Sequence, residues 1–416
     1  MIELQERPER ALLIGLDTGV EDTESLLEEL AELTETAGAE VVAVMTQKLP
    51  CPEKATFIGS GKLQEVTEFC QNNDVDLLIF DTELSPTQQR NIEETTGVRT
   101  IDRTLLILDI FAGRASSGEG RIQVELARYR YLLPRLTGQG QKLSRQGGVG
   151  MRRGAGESKL ETDKRHIRRR IYALNEQLKE IEVRRENQRK RRRKNGIPTV
   201  AIVGYTNAGK STLMNFLTEA GVLVEDMLFA TLDPTARGLK LPDGRNVMLV
   251  DTVGLIRKLP HHLVEAFHST LEEAAEADVI LNVCDLSNPE AEEHLKVTND
   301  LLAELGCGEI PVLSVFNKID LVDDPHLLPR KSIGISALKG EGIDRLLEEI
   351  ANALPPTRVR VEMLLPFHRG EIAPILRKNG VIHAEEYVVE GLKLDCTIDK
   401  IDAEKYQEFV TRMIEQ

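Results

Sequence analysis

The sequence predicts an α/β chain: a central parallel-sheet domain, a smaller α/β domain before it that carries a long helical hairpin, and a short α/β appendage after it. Three observations carry this. An apolar run, Val200 to Val203, enters the turn Gly204-Tyr-Thr-Asn-Ala-Gly-Lys-Ser211 and then the helical pattern Leu213, Phe216, Leu217. Strand-like and helical spacings alternate upstream of residue 112. Two seams of heptad type flank a Gly-rich basic stretch, residues 137–156.

In chain order, Ala11–Leu16 reads as a strand, Thr23–Thr36 as a helix and Glu40–Met45 as a strand. Gly61–Asn73 is helical and Asp76–Phe80 a strand; Ser85–Thr96 is a helix with Ser85 as cap and Pro86 at its first position. Val98–Ile101 and Thr104–Phe111 complete a βα pattern, which predicts a small, mostly parallel sheet. Phe57-Ile-Gly-Ser-Gly-Lys-Leu63 imitates a phosphate loop but lacks its full frame, so a structural turn is expected there.

Ile122, Leu126, Tyr129, Leu133 and Leu136 form one seam; Leu160, Ile167, Ile171, Leu174, Leu178 and Ile181 form the other. Thr137–Gly156 is too rich in glycine to be helical, so an antiparallel hairpin with that loop at its tip is expected, and Pro134 would end or kink the first helix. Lys142, Arg145, Arg152 and Arg153 make the tip a candidate contact for RNA phosphates, with a merely solvated linker as the alternative. A second basic run, Arg189–Lys194, leads to a boundary at Asn195-Gly-Ile-Pro198.

The central stretch has the strand, loop and helix order of the P-loop, in which backbone N–H groups cradle phosphates. The candidate nucleotide contacts are Gly204, Tyr205, Thr206, Asn207, Ala208, Gly209, Lys210, Ser211 and Thr212; Lys210 neutralises phosphate charge and Ser211 holds Mg²⁺. Asp251, Thr252, Val253 and Gly254 follow the strand Asn246–Val250, placing a carboxylate at the Mg²⁺ water shell and the Gly254 N–H at the γ-phosphate. Asn317, Lys318, Ile319 and Asp320 follow the strand Val312–Phe316, where Asp320 accepts two hydrogen bonds from a guanine edge. Ser336, Ala337 and Leu338 bring a backbone N–H to the guanine carbonyl. Between these motifs lie Phe229, Ala230, Thr231, Leu232 and Asp233; Thr231 is the candidate switch residue on Mg²⁺ and γ-phosphate, with Thr235 its rival. Four motifs in order, each at a strand end, define a GTPase, with Lys210, Thr231 and Gly254 as catalytic candidates.

The fold class is thus α/β: a P-loop GTPase domain (196–356) preceded by a small α/β domain (1–112) with a long helical hairpin (113–195), and followed by a small C-terminal α/β domain (357–416). In the last part Arg358–Leu364 and Leu392–Ile398 read as strands around a helical Gly370–Lys378 and a final helix, and His368 and His383 as surface or turn residues.

Composition narrows the setting. The chain has 416 residues, 41% hydrophobic and without Trp, and no apolar run nears the ~20 residues of a membrane span. Five scattered cysteines and the absence of a signal-peptide core lead to the expectation of a cytoplasmic protein without zinc or disulfides. The net charge of −15 conceals a segment, Arg114 to Lys194, with 24 Lys/Arg against 9 Asp/Glu. A basic arm on an acidic body points to a polyanionic partner.

The whole chain resembles the HflX family of ribosome-associated GTPases. The carrying residues are Gly59–Lys62, Arg99–Thr104, Arg121–Leu126, Gly147–Glu157, Gly204–Ser211, Phe229–Pro234 and Asp251–Ile256. The resemblance implies a protein that binds the 50S subunit and its 23S rRNA with its GTPase domain at the factor-binding centre, reaches toward the peptidyl-transferase region with its hairpin loop, and splits stalled ribosomes; a monomer without stable membrane insertion is expected. Leu255 stands where many small GTPases have the Gln that orients water, so turnover is expected to be slow alone and stimulated by the ribosome. Arg257 and His262 just beyond are expected to be solvated loop residues, the alternative being that each is a local helper at the site. In cation-dependent GTPases an Asn at the Asn207 position holds K⁺ beside the phosphates, the alternative being that Asn207 only shapes the loop. A 50S assembly GTPase remains open as a second reading. A signalling switch docked on membrane or protein is the third, disfavoured because the arm has no Trp/Phe face.

Overall fold

The computed structural model describes residues 7–20, 22–136, 153–194, 197–218, 228–229, 235–252, 254–258, 274–322, 328–329, 331–355 and 358–414. The first sheet is parallel, in the order β2-β1-β3-β4, from β1 (Arg10–Asp17), β2 (Glu40–Lys48), β3 (Leu77–Phe80) and β4 (Arg99–Asp102). Alternation decides its two faces. Leu12, Ile14, Leu78 and Phe80 bury against α2 (Ser60–Asn72) and α3 (Pro86–Thr96). Ala11, Leu13, Leu77 and Ile79 bury against α1 (Thr23–Thr36) and α4 (Arg103–Arg114). Asp22 caps α1, and Ser85 and Gln88 form a capping box at α3, which fix where those helices start. Gly59 precedes α2 as its cap residue and Lys62 pairs with Glu65, so the Gly59–Lys62 turn is built into a helix start.

The hairpin consists of α5 (Gly118–Arg135) and α6 (Arg153–Lys194). Arg185 pairs with Glu119 at 3.0 Å and Arg130 approaches Asn175 at 3.4 Å, an antiparallel register. On α6 the expected seam from Ile167 to Ile181 is the more buried side, with Leu174 fully buried. On α5 the seam accounts for only part of the buried surface. Leu126 of the seam is buried, but so are Gly120, Gln123, Val124, Ala127 and Tyr131 outside it, and the last three join the core of the first sheet. A helix gripped on two sides needs two apolar faces, and a single heptad pattern shows one. The tip also differs from expectation: Arg153, Gly154, Ala155 and Gly156 belong to α6, because a long helix already nucleated downstream absorbs the cost of its glycines, about 1 kcal/mol each.

The central sheet is ordered β10-β9-β8-β5-β7-β6, from β5 (Thr199–Gly204), β6 (Thr235–Lys240), β7 (Asn246–Asp251), β8 (Val279–Asp285), β9 (Val312–Asn317) and β10 (Ile333–Gly334). Only β6 runs antiparallel, against β7. The helices α7 (Lys210–Thr218), α8 (Ala291–Glu304) and α9 (Ile343–Ala353) flank it. β5, β7, β8 and β9 all end at one edge of the sheet, so the loops after them meet there.

The last sheet is antiparallel, β12-β13-β11-β14. The strands β11 (Arg358–Leu365) and β13 (Gly391–Asp399) and the helix α10 (Ile372–Asn379) lie where expected. Two elements differ. Val381–Val388 is a strand, β12, which its mostly exposed edge position left without an apolar alternation. The final helix is only α11 (Lys400–Lys405), and the chain continues into β14 (Val410–Ile414), paired with β11.

Candidate functional site

The site is assembled where β5, β7, β8 and β9 end. Gly204 closes β5 at φ 149°; a Cβ there would sit 2.1 Å from the Val283 carbonyl oxygen. Asn207 and Gly209 hold φ of 59° and 86°, folding the loop back on itself before α7 opens at Lys210. A Cβ on Gly209 would meet Asn317 Nδ2 at 2.2 Å. That amide is the brace of the site: Nδ2 donates to the Ala208 carbonyl at 2.9 Å, and Oδ1 accepts from the Ala337 N–H at 2.9 Å. Three loops distant in sequence are tied by one buried side chain.

Lys210 is 6% exposed and donates to the Tyr205 carbonyl at 2.7 Å. Burial pushes its ammonium down to about 8, with Asp251 opposing the shift. Ser211 Oγ donates to Asp251 Oδ2 at 3.3 Å. A hydroxyl and a buried carboxylate side by side are hard oxygen donors, the kind that suits Mg²⁺. Thr252 faces the other way, donating to the Ile202 carbonyl at 2.8 Å. Gly254 lies against Thr206 and Lys210: a Cβ on it would be 2.8 Å from Thr206 Cγ2 and 3.2 Å from Lys210 Nζ. Leu255 is buried, its carbonyl accepting from the Thr206 N–H at 2.8 Å and its N–H donating to the Gly204 carbonyl at 3.1 Å. It therefore pins the Asp251–Leu255 loop to the phosphate loop by backbone alone.

At the far end, Lys318 takes φ 62° and pairs with Asp285 at 2.7 Å. A hydrogen bond from Ser336 holds the Asp320 carboxyl below its ordinary range, and Lys339 lies 3.6 Å away. Ser336 and Ala337 are buried, Ile319 is half-buried and Leu338 is exposed. Ala230, Thr231, Leu232, Asp233, Val253 and His262 lie outside the described residues, as do the tip residues Lys142, Arg145 and Arg152; Arg153 opens α6. Phe229 is described and is buried. It packs edge-on against Phe111 of α4, centroids 4.6 Å apart.

Sequence reasoning missed the company this site keeps. Tyr205, Leu228, Phe229 and Ile256 share one core with Leu27, Leu30 and Phe111 of the first domain. Tyr205 stacks on His294 of α8 at 3.7 Å, donates to Glu29 of α1 at 2.6 Å and accepts from the Arg257 N–H at 2.8 Å. Arg257, expected in solvent, is 8% exposed and pairs with Glu290, while Arg103 of α4 bonds its carbonyl at 3.2 Å. Arg103 also pairs with Glu29 and, at 3.0 Å, with Asp81, which Lys258 reaches at 3.0 Å. Burial is the main reason the Glu29 carboxyl is raised, with Arg103 opposing, and it drives the His294 imidazole down to about 4. A cleft of ≈ 550 Å³ separates α1 from the phosphate loop, with Glu24, Glu28 and Glu32 on one wall and Asn207 on the other. No short motif marks this seam. The one available signal was a Tyr at a loop position whose backbone alone concerns phosphates.

Residues 24–112 match a family described as GTP-binding GTPase N-terminal, residues 114–192 one described as GTP-binding GTPase Middle Region, and residues 199–318 one described as 50S ribosome-binding GTPase. The GTPase HflX of Caldanaerobacter subterraneus subsp. tengcongensis is 50% identical over 410 residues, covering 99% of this chain and 96% of that one. The GTPase HflX of Lacrimispora saccharolytica is 46% identical, covering 96% and 95%. That of Escherichia coli K12 is 41% identical, covering 89% of each.

Proposed function

The chain belongs to the HflX family of GTPases, and from that premise we propose that it binds the 50S ribosomal subunit through 23S rRNA and separates stalled ribosomes into subunits. GTP hydrolysis is its chemistry; the ribosome is the proposed setting and stimulant. The observation that carries the proposal is the pairing of an acidic GTPase with one concentrated basic arm, rooted in the same core as Phe229 and Ile256. We read the chain as four units, 1–112, 113–195, 196–356 and 357–416, acting from a monomer in the cytoplasm. Among the described residues no helix is long and apolar enough to cross a membrane.

In this reading the loop Gly204–Ser211 wraps the phosphates with backbone N–H groups and Lys210 neutralises their charge. Ser211 would hold Mg²⁺ directly, Thr231 in the GTP state, and Asp251 through water; the ion would offset charge on the β- and γ-oxygens. Gly254 offers its N–H to the γ-phosphate, and Asp320 reads the guanine edge with Asn317 bracing the loops. Asn207, exposed at the loop crest, is the residue we assign to K⁺. Leu255 has no group to orient water, so the free protein turns over slowly until its partner completes the site.

Sucrose-gradient sedimentation of 70S ribosomes with the protein and a non-hydrolysable GTP analogue tests this. Conversion of the 70S peak to subunits is expected. Intact 70S with the protein bound only to 50S precursors would replace splitting by assembly. Replacing Lys142, Arg145, Arg152 and Arg153 by Ala is expected to weaken 50S binding and leave GTP binding unchanged.

A further inference from the structure

Charge is not spread evenly along α6. Toward its C-terminal end cations and carboxylates neutralise each other: Lys179 with Glu176 at 2.8 Å, Lys190 with Glu186 at 2.7 Å, Arg185 with Glu119 of α5. Residues 164–172 differ. They contain Lys164, Arg165, Arg168, Arg169 and Arg170 and no acidic residue. Arg170 alone turns to the hairpin and pairs with Glu125 at 2.8 Å. Arg165, Arg168 and Arg169 are exposed, and among the described residues no carboxylate lies within ion-pair distance of them. Tyr172, one turn on, is 69% exposed.

Helical spacing puts these four on one face. Positions 165, 168, 169 and 172 fall within roughly 100° of arc, on the side away from Ile167, Ile171 and Leu174, which face α5. By the register of Arg185 on Glu119 and Arg130 near Asn175, α5 ends opposite about residue 170, so some 16 residues of α6, roughly 24 Å, run past its end. The unpaired arginines stand at that step, where the arm narrows from two described helices to one.

We propose that this face, Arg165, Arg168, Arg169 and Tyr172, is a second RNA-binding surface, separate from the tip: the three guanidinium groups take successive phosphates and the Tyr172 ring lies on an exposed base or ribose. Three cations with no acidic partner among the described residues, on one stripe with an aromatic at its end, match a polyanion that also offers flat faces. A lipid surface fits poorly, because the stripe carries no Leu, Ile, Phe or Trp to enter it. The surface rests on the ribosomal reading above and extends it from the tip to the shaft of the arm.

The test uses the full chain with a non-hydrolysable GTP analogue and 50S subunits, measuring affinity at several KCl concentrations. The variants are R165A/R168A/R169A, Y172A, and the four-Ala tip. The arginine variant is expected to lower affinity and flatten the log K against log salt line by about two units, near 0.7–0.9 for each phosphate no longer neutralised. Y172A is expected to lower affinity several-fold with the slope unchanged, and R165K/R168K/R169K to restore most of the slope. If the arginine variant keeps wild-type affinity and slope while the tip variant loses both, the shaft surface is overturned and the ribosomal reading stands. If neither variant changes, that reading falls as well. Weaker binding with an unchanged slope would mean the helix was damaged and would overturn the phosphate assignment; a thermal melt checks this independently. Binding to phosphatidylserine vesicles that the arginine variant abolishes, with 50S affinity intact, would assign the face to membrane and overturn the proposal.

Discussion

The phosphate-loop pocket and the seam beside it are both buried, polar and within one residue of each other at Tyr205, yet they are built on opposite plans. The pocket takes its parts from four short motifs, each at the end of a strand, and joins them with a few bonds such as those of Asn317. The seam takes single residues from distant places: Ser25, Glu29, Asp81 and Arg103 on one side, Tyr205, Arg257, Lys258, Glu290 and His294 on the other. The pocket must bind one small molecule by backbone and charge, and a fixed local frame does that best. The seam must hold two domains together, and any complementary pair on the two surfaces will serve. Removing a motif residue therefore deletes a function, whereas removing a seam residue changes stability and coupling by degrees.

The largest expected effects lie in the pocket. Lys210→Ala and Ser211→Ala are each expected to reduce GTP turnover at least on the order of a hundredfold, and Gly209→Ala to do the same by clashing with Asn317. Steady-state phosphate release with 50S present measures all three. Brisk turnover by any of them would break the contrast at once.

Next comes Asp320→Asn. The amide presents a donor where guanine also offers donors, so GTP affinity is expected to fall on the order of a hundredfold or more while xanthosine triphosphate binding improves. Titration with a fluorescent analogue of each nucleotide reads the exchange. Equal GTP affinity would remove Asp320 from the site.

Tyr205→Phe sharpens the comparison, because it keeps the loop backbone and the stack on His294 but loses the bonds to Glu29 and Arg257. Leaving a buried carboxylate short of a donor costs about 1–3 kcal/mol. A lower thermal midpoint is expected, with GTP affinity kept within about threefold. A large loss of affinity with unchanged stability would place Tyr205 wholly in the pocket.

The smallest effect is on pH dependence. His294 titrates near 4 in the fold, below its ordinary value, so between about 6.5 and 4 the unfolded chain binds the proton first. Its contribution is a stability loss that begins as pH falls below about 6.5, and it is absent above that. His294→Gln is expected to narrow the gap between thermal midpoints at pH 7 and pH 5. An unchanged gap would mean that the carboxylates of the seam set the whole dependence.

What was legible followed from how local the cause is. The Thr23–Thr36 helix came from spacing, and α3 from Ser85 and Pro86, as the structure has them. Edge strand β12 was illegible because neither of its faces is deeply buried, so no alternation was imposed on it. Arg257 was misread as solvated, since a lone Arg beyond a loop is the same letter whether water or Glu290 receives it.

The sequence by itself determined the P-loop frame, the order of its motifs and the presence of a basic arm, because backbone conformation at Gly204 and Gly209, and side-chain chemistry at Lys210 and Asp251, are properties of short segments. Only the tertiary structure decided which residues those segments meet. That Tyr205 rests on Glu29 and His294, that Phe229 fills a core with Phe111, and that Arg165, Arg168 and Arg169 meet no carboxylate among the described residues all depend on surfaces brought together from far along the chain. In these cases burial and pairing are relations between distant segments, and no short window of sequence contains both partners.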